Sequence, residues 1–239
     1  MAVDSADAPK RFYKTARAGA LEGGFAVLLD GRVVRTPRHA RLILPGQALA
    51  ALVADEWEAQ GETIQLADMG ATRLAYTAAD RVAVARAETA AEVVQFAGSD
   101  LLCYFAEAPQ ALVRRQTEQW RPVLDWADRE LGVRLEPVAG IIHAAQPAES
   151  LARVHAICAE VDVFNLAGVA YGAALYGSAI LALAVLKGEL GGEAAFDLSR
   201  LDEAFQQEQW GVDDEAAVRT ARQRQEAIML HAWFAALRG

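Results

Sequence analysis

Leu166 to Leu186 contains no charged residue, and an uncharged run long enough to cross a bilayer must be buried in lipid or in a protein core. Its interior decides between the two. Gly168, Gly172, Gly177 and Ser178 interrupt it, no Lys or Arg cluster flanks it on one side, and amphipathic helical stretches surround it instead of further apolar spans. The run is therefore expected to form two buried helices that meet near Gly177, with no stable membrane insertion. Small residues let such helices pack closely on each other and on their neighbours.

The rest of the chain divides by hydrophobic period. Phe12-Tyr13, Phe25 to Leu29, Val33-Val34 and Leu42 to Leu44 are short β-compatible runs, and Asp30-Gly31 between two of them suits a tight hairpin. Pro37 and Pro45 end runs. From Gln47 the spacing of Leu49, Leu52 and Val53 turns helical until Gly61 stops it. Beyond Met69 helices are expected over 72–79, 82–97, 109–131, 148–161, 194–210 and 214–237, with Pro109 in a first turn and a kink or restart at Pro122. Between Val133 and Ile142 the period lapses, which predicts an irregular or extended excursion. The expected fold is α+β: a small β-rich N-terminal domain over residues 1–65, followed by a larger all-helical C-terminal domain over 66–239.

The 239 residues are ample for a core, and their charge of −9, with a pI near 5.0, disfavours nucleic acid and anionic membranes as partners. Basic patches on a protein partner fit better. Cys103 and Cys158 lie far apart, with no second Cys or His at ligand spacing, so neither a zinc site nor a disulfide is signalled. A reducing compartment follows. Met1 to Lys10 carries Asp4 and Asp7 and no apolar core, unlike a secretory or transit peptide. These features predict a soluble protein of a bacterial cytoplasm, with the mitochondrial matrix as the organellar counterpart, and favour a monomer.

Two distant stretches share an unusual chemistry. Val53 to Gln60 and Leu201 to Gly211, the latter followed by Val212-Asp213-Asp214-Glu215, each set a tryptophan among carboxylates and carboxamides. That mixture suits neither a core nor a plain solvated face, and is commoner on surfaces that grip another protein. In the second stretch Leu198, Leu201, Ala204 and Phe205 share one side of a helix, whereas Glu203, Gln206, Gln207 and Trp210 fall on the other. Gly211 stands where a left-handed cap would sit, and Asp213 to Glu215 place negative charge at the next helix's start. Glu203, Trp210, Asp214 and Glu215 are thus candidates for a protein-contact surface, with helix capping and local packing as the simpler alternative. Glu56 lies within an apolar stripe with Trp57 at its edge, so it needs a partner such as Arg35 or Arg73; this pair is expected to be structural or interdomain. Asp100 is expected to cap or turn the chain, and Gln116 and Gln119, near the apolar side of their helix, to bond to backbone.

These two stretches, together with Thr36-Pro37 and with Ser99 to Tyr104 between them, resemble the F1-ATPase assembly chaperones that hold the newly made alpha subunit. The resemblance runs from Arg11-Phe12-Tyr13 to the last helix; Gly70-Ala71 departs from it, where a Pro-Leu type pair would follow Met69. It implies a chaperone that binds the unassembled F1-ATPase alpha subunit, shields its interface from aggregation and yields it to the beta subunit, with no cofactor. A scaffold for another protein complex is the alternative that the acidic surface supports equally. A hydrolase or lyase has less to stand on. His39, His143, His155 and His231 are isolated, and no G-x-G-x-x-G, P-loop or G-x-S-x-G occurs, so catalytic and metal sites are expected to be none.

Overall fold

A computed structural model describes residues 8–211 and 213–239. The reading of Met1 to Lys10 therefore falls mostly outside the described residues, as does Val212. The described chain groups into two compact units: residues up to Val84 with Ala232–Gly239, and Ala85–His231.

The first unit holds an antiparallel sheet in the order β1 (Ala16–Leu21), β2 (Gly24–Leu29), β3 (Arg32–Val33). Leu29 pairs with Arg32 across Asp30-Gly31, and both turn residues take positive φ, 47° and 85°, as a tight primed turn requires. Strand β1 was not foreseen, because Ala, Arg and Gly are poor strand formers; its pairing with β2 holds it in the sheet. Phe12-Tyr13 is not a strand. Tyr13 is buried and donates its hydroxyl to the Trp57 carbonyl at 2.6 Å, while Phe12 is exposed. Leu42 to Leu44 contributes single bridges only, with Leu44 exchanging backbone hydrogen bonds with Phe25. Helix α1 (Gln47–Glu58) packs on β1 and β2, and α2 (Gly70–Thr77) packs on α1 before a π-turn over Ala78–Val82. The expected boundary at residue 65 thus falls inside this unit, ahead of α2.

In the second unit the elements are α3 (Arg86–Gly98), β4 (Tyr104–Phe105), α4 (Gln110–Trp126), β5 (Val138–Ala139), α5 (Ala148–Glu160), α6 (Val163–Tyr176), α7 (Ala179–Lys187), α8 (Gly192–Ser199), α9 (Leu201–Trp210) and α10 (Asp214–Arg238), the last running on into the first unit's residues. The uncharged run is α6 and α7, capped at Gly177 in the left-handed region with φ 65° and restarted by Ser178, whose hydroxyl accepts from Leu181 N–H. Ala179 to Leu186 are all buried. No helix among the described residues is long and apolar enough to cross a membrane. Gly172 explains how tightly these helices meet, since a Cβ there would lie 3.0 Å from the Ala182 Cβ and 2.9 Å from Leu230 Cδ2.

Three sequence expectations shift. Helix α4 continues through Pro122, whose ring is exposed; the irregularity comes later, as a π-turn over Ala127–Leu131 closed by left-handed Gly132. Pro109 stands at the N-cap of α4, one position before its first turn. The helix expected over 194–210 breaks at Arg200 into α8 and α9. The lapse after Val133 is extended as expected and contains β5, which pairs in parallel with β4.

Candidate functional site

Helix α9 buries only Leu201, with Phe205 half-buried and Ala204 exposed, so its apolar side is narrower than the sequence suggests. What holds it is α4. The Gln116 carboxamide is fully buried; its oxygen accepts from Ala106 N–H at 2.8 Å and its nitrogen donates to the Asp202 carboxylate at 2.8 Å. Burial raises the Asp202 pKa, and the bond from Gln116 works against that shift. Beside it on α4, the Arg115 guanidinium binds Glu208 through two bonds of 2.7 and 2.9 Å and lies 5.2 Å over the Phe205 ring, and this pairing holds the Glu208 carboxyl below its ordinary pKa. Trp120 adds a donor bond to the Leu198 carbonyl at 2.9 Å.

On the opposite face Trp210 ends α9 with 88% of its surface exposed. Glu203 and Trp210 are seven positions apart, close to two full turns, so they share a face about 10 Å apart along the axis. Glu203 is exposed and meets Arg200 at 3.2 Å, a pairing worth little in water. Gly211 has positive φ, 85°, but ψ of 176°, so it is an extended link and not the expected left-handed cap. Asp213 caps α10 by accepting from Ala216 N–H, and Asp214 and Glu215 are exposed on its first turn.

Glu56 is elsewhere, in the first unit. Its carboxylate accepts from Ala71 N–H, Thr72 N–H and the Thr72 hydroxyl, each at 2.7 Å. It therefore supplies from a neighbouring helix the cap that α2 lacks, since Met69 offers no side-chain acceptor. Burial raises its pKa against these bonds, and the charge of Arg73, one of the two expected partners, lowers it as the bonds do. Arg35, the other expected partner, bonds instead to the His39 carbonyl. Trp57 is buried, stacks edge-on against Tyr13 at 5.8 Å and leaves its indole N–H without a protein acceptor.

Asp100 does more than turn the chain. Fully buried, it accepts from Leu102 N–H and Ile180 N–H at 3.1 Å and also from the Ser178 hydroxyl and Ala179 N–H, so it joins the loop after α3 to the start of α7. Burial pushes its carboxyl up to about 6 against those donors.

The sequence reading missed a cleft of about 530 Å³ between α4, α8, α9 and α10, into which Arg115, Arg200, Arg219 and Arg224 project. They come from three separate segments, and no local motif links them. Gln119, expected near the apolar side of α4, is exposed and lines this cleft.

Residues 10–128 match the family model described as ATP12 chaperone protein. The mitochondrial protein atp12 of Schizosaccharomyces pombe is 26% identical over 87% of this chain and 75% of its own length. The crystal structure of Atp12 from Paracoccus denitrificans superposes with a TM-score of 0.88 at 40% identity, over 95% of this chain and 97% of that one. A protein of Agrobacterium tumefaciens reaches a TM-score of 0.90 at 42% identity, over 96% of this chain and 86% of that one. With identity of that order along nearly the whole chain and a shared fold, the protein belongs to the ATP12 chaperone family.

Proposed function

We propose that the chain is an assembly chaperone of F1-ATPase that binds the unassembled alpha subunit, shields its subunit interface from aggregation and is displaced by the beta subunit. The observation that carries the reading beyond family membership is Trp210, a large indole left 88% exposed on a helix whose same face bears Glu203. An apolar anchor inside an acidic rim suits a partner that must be caught quickly and released later, because rim charges speed encounter and a single anchor keeps affinity moderate. Asp214 and Glu215 extend that rim. Such a placeholder needs neither nucleotide nor metal and carries out no catalysis. Release is competition: the beta subunit binds the same face more tightly, and mass action transfers the client. Glu56 and Trp57 hold the fold of the first unit and do not touch the client.

Co-expression with the alpha subunit in the absence of beta, followed by affinity purification, tests the reading. The alpha subunit should co-purify with the wild-type chain, and Glu203→Lys should reduce its yield severalfold while thermal unfolding stays within a few degrees. A folded wild-type protein that retains no alpha subunit would remove the reading.

A further inference from the structure

The arginine cleft is unusual for a chain of charge −9: four guanidiniums line it against two carboxylates, Asp197 and Glu203. Two of the arginines are already held. Arg115 is clamped by Glu208, and Arg224 by Asp197 at 2.6 Å with Glu193 at 3.7 Å. The others keep capacity. Arg200 meets Glu203 through one terminal nitrogen and the Leu175 carbonyl through the other, while its buried Nε–H has no acceptor; Arg219 is exposed and has no ion-pair partner among the described residues. Phe196, fully buried, forms the floor, with Arg200 and Arg224 lying 5.6 and 5.1 Å from its ring centre. Arg115, Arg200 and Arg224 are therefore pre-set by stacking and pairing, which lowers the entropy lost when an anion enters.

We propose that this cleft is a docking site for an acidic peptide segment of the client, whose side-chain carboxylate is received by the guanidiniums of Arg200 and Arg219. The inference rests on the chaperone reading for the identity of the client, and on the cleft alone for its chemistry. Planar guanidiniums match a carboxylate in two-pronged fashion. A volume of about 530 Å³ is that of a pocket for a chain segment and far exceeds a single ion. Gln119, Gln207 and Gln223 around it offer the donors and acceptors that a peptide backbone needs. Asp197 and Glu203 in the same wall repel a polyanion such as nucleic acid, so the fitting ligand carries one or two negative charges. Together with the acidic rim outside, the cleft reads a partner whose acid is bordered by basic residues.

The test uses the whole protein and a fluorescein-labelled short peptide with a central Glu-Glu pair, its Gln-Gln counterpart, and free glutarate, followed by fluorescence polarisation at low and high salt. The Glu-Glu peptide should bind saturably and more weakly at high salt, and the Gln-Gln peptide about tenfold less well. Arg219→Glu, at an exposed position, should weaken the Glu-Glu peptide about tenfold, whereas Arg222→Glu, outside the cleft, should change it less than about twofold. Absence of saturable binding, equal binding of both peptides, or indifference to Arg219→Glu overturns the proposal. Glutarate competing as strongly as the peptide does so too, since the site would then be one for a small dicarboxylate. Alpha-subunit capture by the same proteins separates the two readings. Capture without peptide binding removes the cleft and leaves the chaperone, and peptide binding without capture does the reverse.

Discussion

Two carboxylates, buried Asp100 and half-buried Glu56, show how one residue can organise a whole segment. Glu56 caps α2 from α1 through three bonds, so Glu56→Ala leaves two backbone N–H groups and a hydroxyl without partners. A loss of about 2–3 kcal/mol in urea unfolding is expected. Asp100 has a pH signature of its own. Its folded pKa of about 6 lies above the ordinary value of 3.8, so the native state holds the proton more tightly than the unfolded chain. Its contribution is complete below the unfolded pKa and is lost as pH rises through about 6. Unfolding free energy, taken as wild type minus Asp100→Asn, should therefore fall by about 2 kcal/mol between pH 4 and pH 7. A difference that is flat over that window would show that Asp100 titrates normally. The need of Glu56 for a partner was legible in the apolar stripe of α1, but the donors that bind its carboxylate were not. Arginine is the obvious choice from sequence, whereas three donors at a helix start 15 residues on are brought together only by folding.

At the scale of elements, the uncharged run was the most legible feature, because length, small residues and Gly177 together leave few alternatives to two buried helices. Gly172 carries that close approach. Gly172→Val should destabilise the protein by about 2 kcal/mol or more, despite the better helix propensity of valine, because both facing groups would have to move. Chemical denaturation measures this, and an unchanged midpoint would mean that α6 can shift away from α7. What escaped the sequence were elements defined by pairing. The Ala-Arg-Gly composition of β1 gives no strand signal, and the two residues of β4 and of β5 are too few to show a period. The break between α8 and α9 at Arg200 was hidden because both halves continue one helical pattern. That break matters, since it sets Arg200 over Phe196 at the cleft.

In the whole molecule, what folds the chain is separate from what it offers to a partner. The fold rests on α6, α7 and the carboxylates of Glu56 and Asp100, while Trp210 and its acidic rim bury nothing and are dispensable for it. Trp210→Ala should accordingly leave the thermal midpoint within a few degrees and lower alpha-subunit capture by about tenfold, as loss of an interface anchor does. The sequence already marked Trp210 and Glu203 as leaving the apolar stripe, since helical period alone shows that. The arginine cleft was beyond its reach, because residues from α4, α8–α9 and α10 carry no joint pattern along the chain. The measurement that bears most directly on the central claim is light scattering from purified F1 alpha subunit, with and without this protein, followed by addition of beta. Suppressed scattering that ends in alpha–beta complexes and free chaperone is the predicted result. Undiminished aggregation of alpha in the presence of a fully folded chain would contradict it.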